Sequence, residues 1–139
     1  MDYKGSILYF ANNDYLFLKD IAEPRKHKDR TMLMLQQCVE KYMKHLLKVE
    51  FSEINTTHNL SYFLNKLGGK YTFLDSYKEV IKTLRESYYD RNYEGDSYFE
   101  LSDEEFQYYY DESLELIQQL SEVCNKPLDG KTKLFNLDK

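Results

Sequence analysis

The stretch that most constrains this chain is residues 29–50, where apolar side chains fall at Met32, Leu35, Val39, Tyr42, Leu46 and Val49. Alternating steps of three and four place them on one stripe of an α-helix and fit no strand, whose side chains alternate with a period of two. Glu40 stands four residues before Lys44, the favourable order for an ion pair along a helix. Gln36, Lys41, Lys44 and Lys48 fall on the opposite face, which is expected to meet solvent. The spacing therefore predicts the central helix of an all-α domain.

The rest of the chain repeats the pattern. A first helix is expected from a Ser6 cap to about residue 22, with Ile7, Ala11, Asp14, Tyr15, Leu18 and Ala22 in helical register. Pro24 ends it, because the residue before a proline is pushed out of the α region. The short basic link of residues 23–28 makes the two helices antiparallel neighbours. That link fits either a solvated turn or a phosphate-contacting patch. Thr57 or Asn59 caps a short third helix that buries Leu60, Phe63, Leu64 and Leu67. Gly68-Gly69 ends it through a left-handed conformation. A fourth helix over residues 72–88 carries Phe73, Tyr77, Val80, Ile81, Leu84 and Tyr88. Residues 89–101 have no periodicity and predict a long polar loop, a kind of segment that often carries function. Ser102 and Glu105 form a capping box for the last helix, whose stripe is Phe106, Tyr109, Tyr110, Ser113, Leu114, Ile117, Leu120 and Cys124.

The expected architecture is an antiparallel up-and-down helical bundle of four to five helices over residues 1–125, followed by a tail over 126–139. In that tail only Leu134, Phe135 and Leu137 are candidates for docking. No apolar run approaches the ~20 residues that span a bilayer, and the first residues lack a signal-peptide pattern, so a cytoplasmic location is expected. Cys38 and Cys124 fall within helical apolar patterns and read as buried free thiols; no spacing suits a metal, and no cofactor is expected. Fourteen tyrosines with no tryptophan fit half-buried faces and a subunit interface, although an AT-rich coding sequence would give the same bias. Residues 25–48 hold seven Lys or Arg against Asp29 and Glu40, whereas residues 92–125 hold ten acids and no Lys or Arg. With a net charge of −5, that dipolar pattern argues against indiscriminate nucleic-acid binding while leaving a local contact open.

Four segments, in this order, resemble HEPN domains. Ala11-Asn12-Asn13-Asp14 is similar to the A-x-x-D of the family's first helix. Gln36-Gln37-Cys38-Val39-Glu40-Lys41-Tyr42-Met43-Lys44 is similar to its Q-Q-x-x-E-K-x-x-K signature, which marks Gln37, Glu40 and Lys44 as binding candidates. Thr57-His58-Asn59-Leu60 is similar to the T-H-[DN]-L that opens the third helix. Residues 90–105 are similar to the D-x-R-Y-P-G loop that leads into the last helix.

The resemblance implies a helical bundle that is often dimeric. Many members are metal-independent RNases, in which an arginine steadies the phosphate and a histidine after four to six intervening positions serves as acid or base. Some pair with a nucleotidyltransferase and extend the motif to R-x4-H-x-Y. Here Arg91, Asn92 and Tyr98 match, with Asp90 and Tyr93 beside them as binding candidates, but Asp96 stands at the histidine position and no histidine follows His58. An imidazole titrates near 6.5 and both takes and gives protons near neutrality, whereas an aspartate near 4 is a poor acid there. His58 substitutes only if folding brings it to the same cleft and sets a carboxylate or phosphate beside it. The resulting expectation is a non-enzymatic HEPN module, a homodimer that binds a protein partner such as a cognate nucleotidyltransferase, or a nucleotide. The alternative is an RNase toxin that uses Arg91 with Asp96, Tyr98 or His58 on RNA.

Overall fold

The computed structural model describes residues 3–92 and 100–126, with the backbone alone for residues 89–92. It contains five α-helices: α1 (Ile7–Asp20), α2 (Lys28–Phe51), α3 (Leu60–Leu67), α4 (Lys78–Asn92) and α5 (Asp103–Cys124). Two 3-10 turns, Pro24–His27 and Thr72–Tyr77, lead into α2 and α4, and no strand occurs among the described residues. α2 packs against each of the other four helices. α1 joins it through a short link and lies against it, as in a helical hairpin. No described helix is long and apolar enough to cross a membrane.

Local chemistry sets most helix ends. At the start of the chain, the Ser6 amide donates to the Tyr3 carbonyl (2.9 Å) across a tight turn, and Gly5 within it has φ +87°. That angle is open to glycine and strained for other residues. Ser6 Oγ then accepts from the Tyr9 amide (3.1 Å) and caps α1. Glu23 is held outside the α region (φ −136°, ψ 72°), as the proline after it requires. Pro24 itself opens a 3-10 turn, and α1 has already ended at Asp20. Asn59 caps α3, and Ser102 with Glu105 forms the expected capping box on α5.

Several expectations need correction. Gly68 follows α3 in a right-handed conformation (φ −61°), not a left-handed one; a Cβ there would stand 2.8 Å from the Leu64 carbonyl oxygen, so close approach is what asks for glycine. The left-handed cap is Ser52 (φ 53°), at the end of α2. The expected fourth helix divides into the 3-10 turn and α4, and α4 continues to Asn92. Residues 89–92 lack apolar periodicity, but they also lack a glycine or proline that would stop a helix. Residues 93–99 of the expected loop and residues 127–139 of the expected tail, with Leu134, Phe135 and Leu137, lie outside the described residues.

The core confirms most of the stripes. Met32, Leu35, Val39, Tyr42 and Leu46 are buried, with Cys38 and Cys124 as free thiols. Val49 is instead 57% exposed. The expected spacing repeats every seven residues, and a straight helix drifts about 20° over that interval. By the last turns the buried side of α2 has passed to Met43 and Leu47, and Val49 has rotated out. α1 is likewise turned by one residue, with Leu8 and Asn12 buried rather than Ile7 and Ala22. Gln36, placed by its polarity on a solvent face, is fully buried. A helix with four neighbours has little circumference left for water, so its polar residues must find partners inside the protein.

Asn12 shows how this is done. Its Nδ2 donates to Asn125 Oδ1 (2.8 Å) and to the Tyr3 hydroxyl (2.7 Å). Its Oδ1 accepts from the Tyr42 hydroxyl (2.6 Å) and from Asn125 Nδ2 (2.9 Å). This buried neutral network ties α1, α2 and the end of α5 together. Next to it on α1, Asp14 pairs with Lys41 of α2 (2.5 Å), so two of the recognised segments meet directly.

Candidate functional site

On another side of α2 the polar residues are charged. Glu40 is buried, yet its carboxylate has three partners. Lys44, one turn on, pairs with Oε2 (2.9 Å), and Gln36 Nε2, one turn back, donates to Oε1 (2.9 Å). His58 Nδ1 lies 3.0 Å from both carboxylate oxygens. A carboxylate withdrawn from water is tolerated only with such compensation. The expected Glu40–Lys44 ion pair is therefore present, but it belongs to an enclosed cluster rather than a solvated face.

His58 is brought to α2 by the loop that follows Ser52, and that loop is braced along its length. Asn55 Nδ2 donates to Glu53 (3.2 Å), and Asn55 Oδ1 accepts from the Thr57 amide (2.8 Å). Thr57 Oγ1 accepts from the Asn59 amide (3.1 Å). Asn59 Oδ1 accepts both from the Ser61 amide (3.0 Å) and from Arg85 Nε of α4 (2.9 Å). The Tyr62 hydroxyl donates to Glu53; this bond holds the Glu53 carboxyl below its usual range, with weaker help from Asn55 and Lys66 against partial desolvation. The His58 ring stacks on Tyr88 of α4 (centroids 5.1 Å apart, 28° between planes). With a carboxylate facing Nδ1, a neutral His58 carries its proton there and leaves the Nε2 lone pair free. The sequence asked for a carboxylate beside His58, and Glu40 supplies it.

Beside the cluster is a cavity of about 540 Å³. Its walls are Gly5, Ser6 and Ile7 at the start of α1, Lys44 and Lys48 of α2, and Glu53, Ile54, Asn55, Thr56 and His58 of the loop. Lys44 and Lys48 are one helical turn apart. Lys48 is exposed and has no ion-pair partner among the described residues. The sequence reading missed the loop residues and the α1 start, since nothing local brings residues 5–7 near 53–58. His58 and Lys44, named as candidates from the family-like segments, were the legible part of this lining.

The remaining candidates are distributed as follows. Gln37 is half-buried on α2, and no hydrogen bond joins it to Glu40, Lys44 or His58 among the described residues. Asp90, Arg91 and Asn92 form the end of α4, with Arg91 three residues after Tyr88, whose ring meets His58. Tyr93, Asp96 and Tyr98 lie outside the described residues. The basic link after α1 is largely engaged within the chain: Lys28 pairs with Asp103 (3.0 Å), Lys26 with Glu23 (3.0 Å), and Arg25 Nε donates to Gln107 (3.1 Å).

Five helices among the described residues, four of them packed around a central α2, make this an all-α helical bundle. The family model described as HEPN domain matches residues 12–127, and the chain belongs to that family. No curated protein and no solved structure matches it.

Proposed function

We propose that this chain is a non-enzymatic HEPN module, a cytoplasmic homodimer that binds a protein partner or a nucleotide. The observation that carries this reading is Asp96, which stands where the family's RNases place their imidazole. Without a group that titrates near neutrality, Arg91 can hold a phosphate but has no acid–base partner in its own segment. The state of Glu40 agrees: it is ion-paired to Lys44 and hydrogen-bonded to Gln36 and His58, which suits a fixed binding surface. The protein partner is basic, because α5 exposes Glu104, Asp111, Glu115 and Glu122 in a segment with no Lys or Arg. A cognate nucleotidyltransferase is the natural candidate, and charge matching of this kind chiefly steers association.

One observation favours a second reading, an RNase acting at a dimer cleft. His58 is oriented by Glu40 and stacks on Tyr88, one turn before Arg91 along α4. A histidine backed by a carboxylate is a competent general base.

Incubation with RNA separates the two. The parent protein is expected to leave RNA intact. Cleavage that disappears in Arg91→Ala or His58→Ala would overturn the binding-module reading. Gain of cleavage in Asp96→His would show that the missing imidazole is what keeps the chain from acting as an RNase. A solution mass near twice the 16.8 kDa of one chain is the expected oligomeric result.

A further inference from the structure

We infer that the cavity between the start of α1, α2 and the loop before α3 binds a phosphomonoester, with the phosphate at Lys44 and Lys48 and an apolar body against Ile7 and Ile54. This deepens the binding-module reading by assigning a site and a ligand class, and it rests on that reading.

Four observations converge. The first is size: about 540 Å³ lies within the range of small-molecule sites, roughly 300–1,000 Å³. The second is charge. Lys48 has no ion-pair partner among the described residues, and it shares the wall with Lys44 and with His58, whose side chain is half exposed. The one acid in the lining, Glu53, already accepts from Tyr62 and Asn55 and pairs with Lys66 (3.5 Å). Ser6 and Ile7 bring the start of α1 to the cavity, and the first turn of that 14-residue helix contains no acid to neutralise its positive end. Lys44 is paired with Glu40 behind the wall, so Lys48 is the cation that faces the cavity without a counter-charge among the described residues, in a chain of net charge −5.

The third observation is an apolar surface that folding left uncovered. Ile54 is 81% exposed although it lines the cavity, and Ile7 is only half-buried opposite. A purely ionic ligand would make no use of these side chains; a ligand with a ring or alkyl body would cover them. The fourth is rigidity. The hydrogen bonds of Asn55, Thr57 and Asn59 fix the loop before any ligand arrives, which lowers the ordering cost of binding.

The test titrates the whole chain with adenosine 5′-monophosphate, inorganic phosphate and adenosine, using calorimetry and amide chemical shifts. Adenosine 5′-monophosphate is expected to bind saturably, to shift amides of residues 5–7, 48 and 54–58, and to weaken as salt rises. Phosphate and adenosine are each expected to bind about tenfold more weakly or worse, the change that follows from losing one anchoring interaction. Lys48→Glu, at an exposed position without an ion pair, is expected to keep the fold and weaken binding by about tenfold or more. Ile54→Ser should weaken the nucleotide and leave phosphate unchanged. Binding that survives Lys48→Glu and is lost in Arg91→Ala would overturn the cavity assignment while sparing the binding-module reading. Arg91-dependent cleavage of RNA would remove that reading without touching the amide shifts around residue 54. Inorganic phosphate matching the nucleotide, or no binding by any probe, would overturn the inference.

Discussion

The two polar clusters on α2 differ in kind. Around Asn12, Tyr42 and Asn125 every group is neutral, and the two asparagines and Tyr42 are buried. Around Glu40 the groups are charged, and the cluster reaches the surface through His58 and Lys44 beside a cavity. Enclosing an amide costs little once all its hydrogen bonds are made, so the first cluster can sit deep and act as a clasp between α1, α2 and α5. A carboxylate keeps a desolvation penalty even when paired, so the second stays near water, where its counter-charges are also available to a ligand. The neutral cluster closes on itself inside the bundle, and the charged one opens onto the cavity.

The sharpest way to break this comparison is Asn12→Leu. It strands the Tyr42 hydroxyl and the Asn125 amide in the core, and the expected loss is roughly 3 kcal/mol or more. Urea unfolding measures it, and a loss below about 1 kcal/mol would mean that the clasp is dispensable. Glu40→Ala comes next, with an expected loss of about 2–3 kcal/mol, less than for a fully buried pair because His58 and Lys44 can turn to water. Nitrogen NMR of His58 should show its proton leaving Nδ1 in that variant; an unchanged ring would contradict the assigned tautomer.

Acid should sharpen the same contrast. Burial, with help from Lys48, holds His45 below its usual 6.5. Above that value both folded and unfolded chains are neutral there. Below it the unfolded chain takes up a proton that the folded one resists, so stability falls on acidification. Glu50, held low by Lys70 and Tyr71, and Glu53, held low chiefly by Tyr62, add a further loss as the pH drops through 4.5. Melting temperatures followed from neutrality downward should show both stages. His45→Gln should remove the upper stage, and a profile unchanged in that variant would refute its cause. The neutral clasp titrates nothing in this range, so Asn12→Leu should lower the whole curve without changing its shape.

The smallest effects are expected at helix ends. Ser102→Ala removes the α5 cap at about 1 kcal/mol. Ser52→Gly relieves a left-handed serine, with an expected gain of about 0.5–1 kcal/mol. Thermal melts distinguish them by sign.

The sequence alone specified the helices, because a stripe of apolar residues and a capping serine are local and additive. It fixed the central place of α2, the Ser102 cap and the proximity rule for His58, and it identified Glu40 and Lys44 as a pair. Tertiary structure decided which polar residues went inside. Gln36, Asn12 and Glu40 look alike to any local rule, and only the four helices around α2 withdrew them from water. It also decided where the cavity opens, since residues 5–7 and 53–58 meet through packing and share no pattern. Hydrophobic periodicity is written along one helix, whereas desolvation and long-range pairing depend on which neighbours arrive.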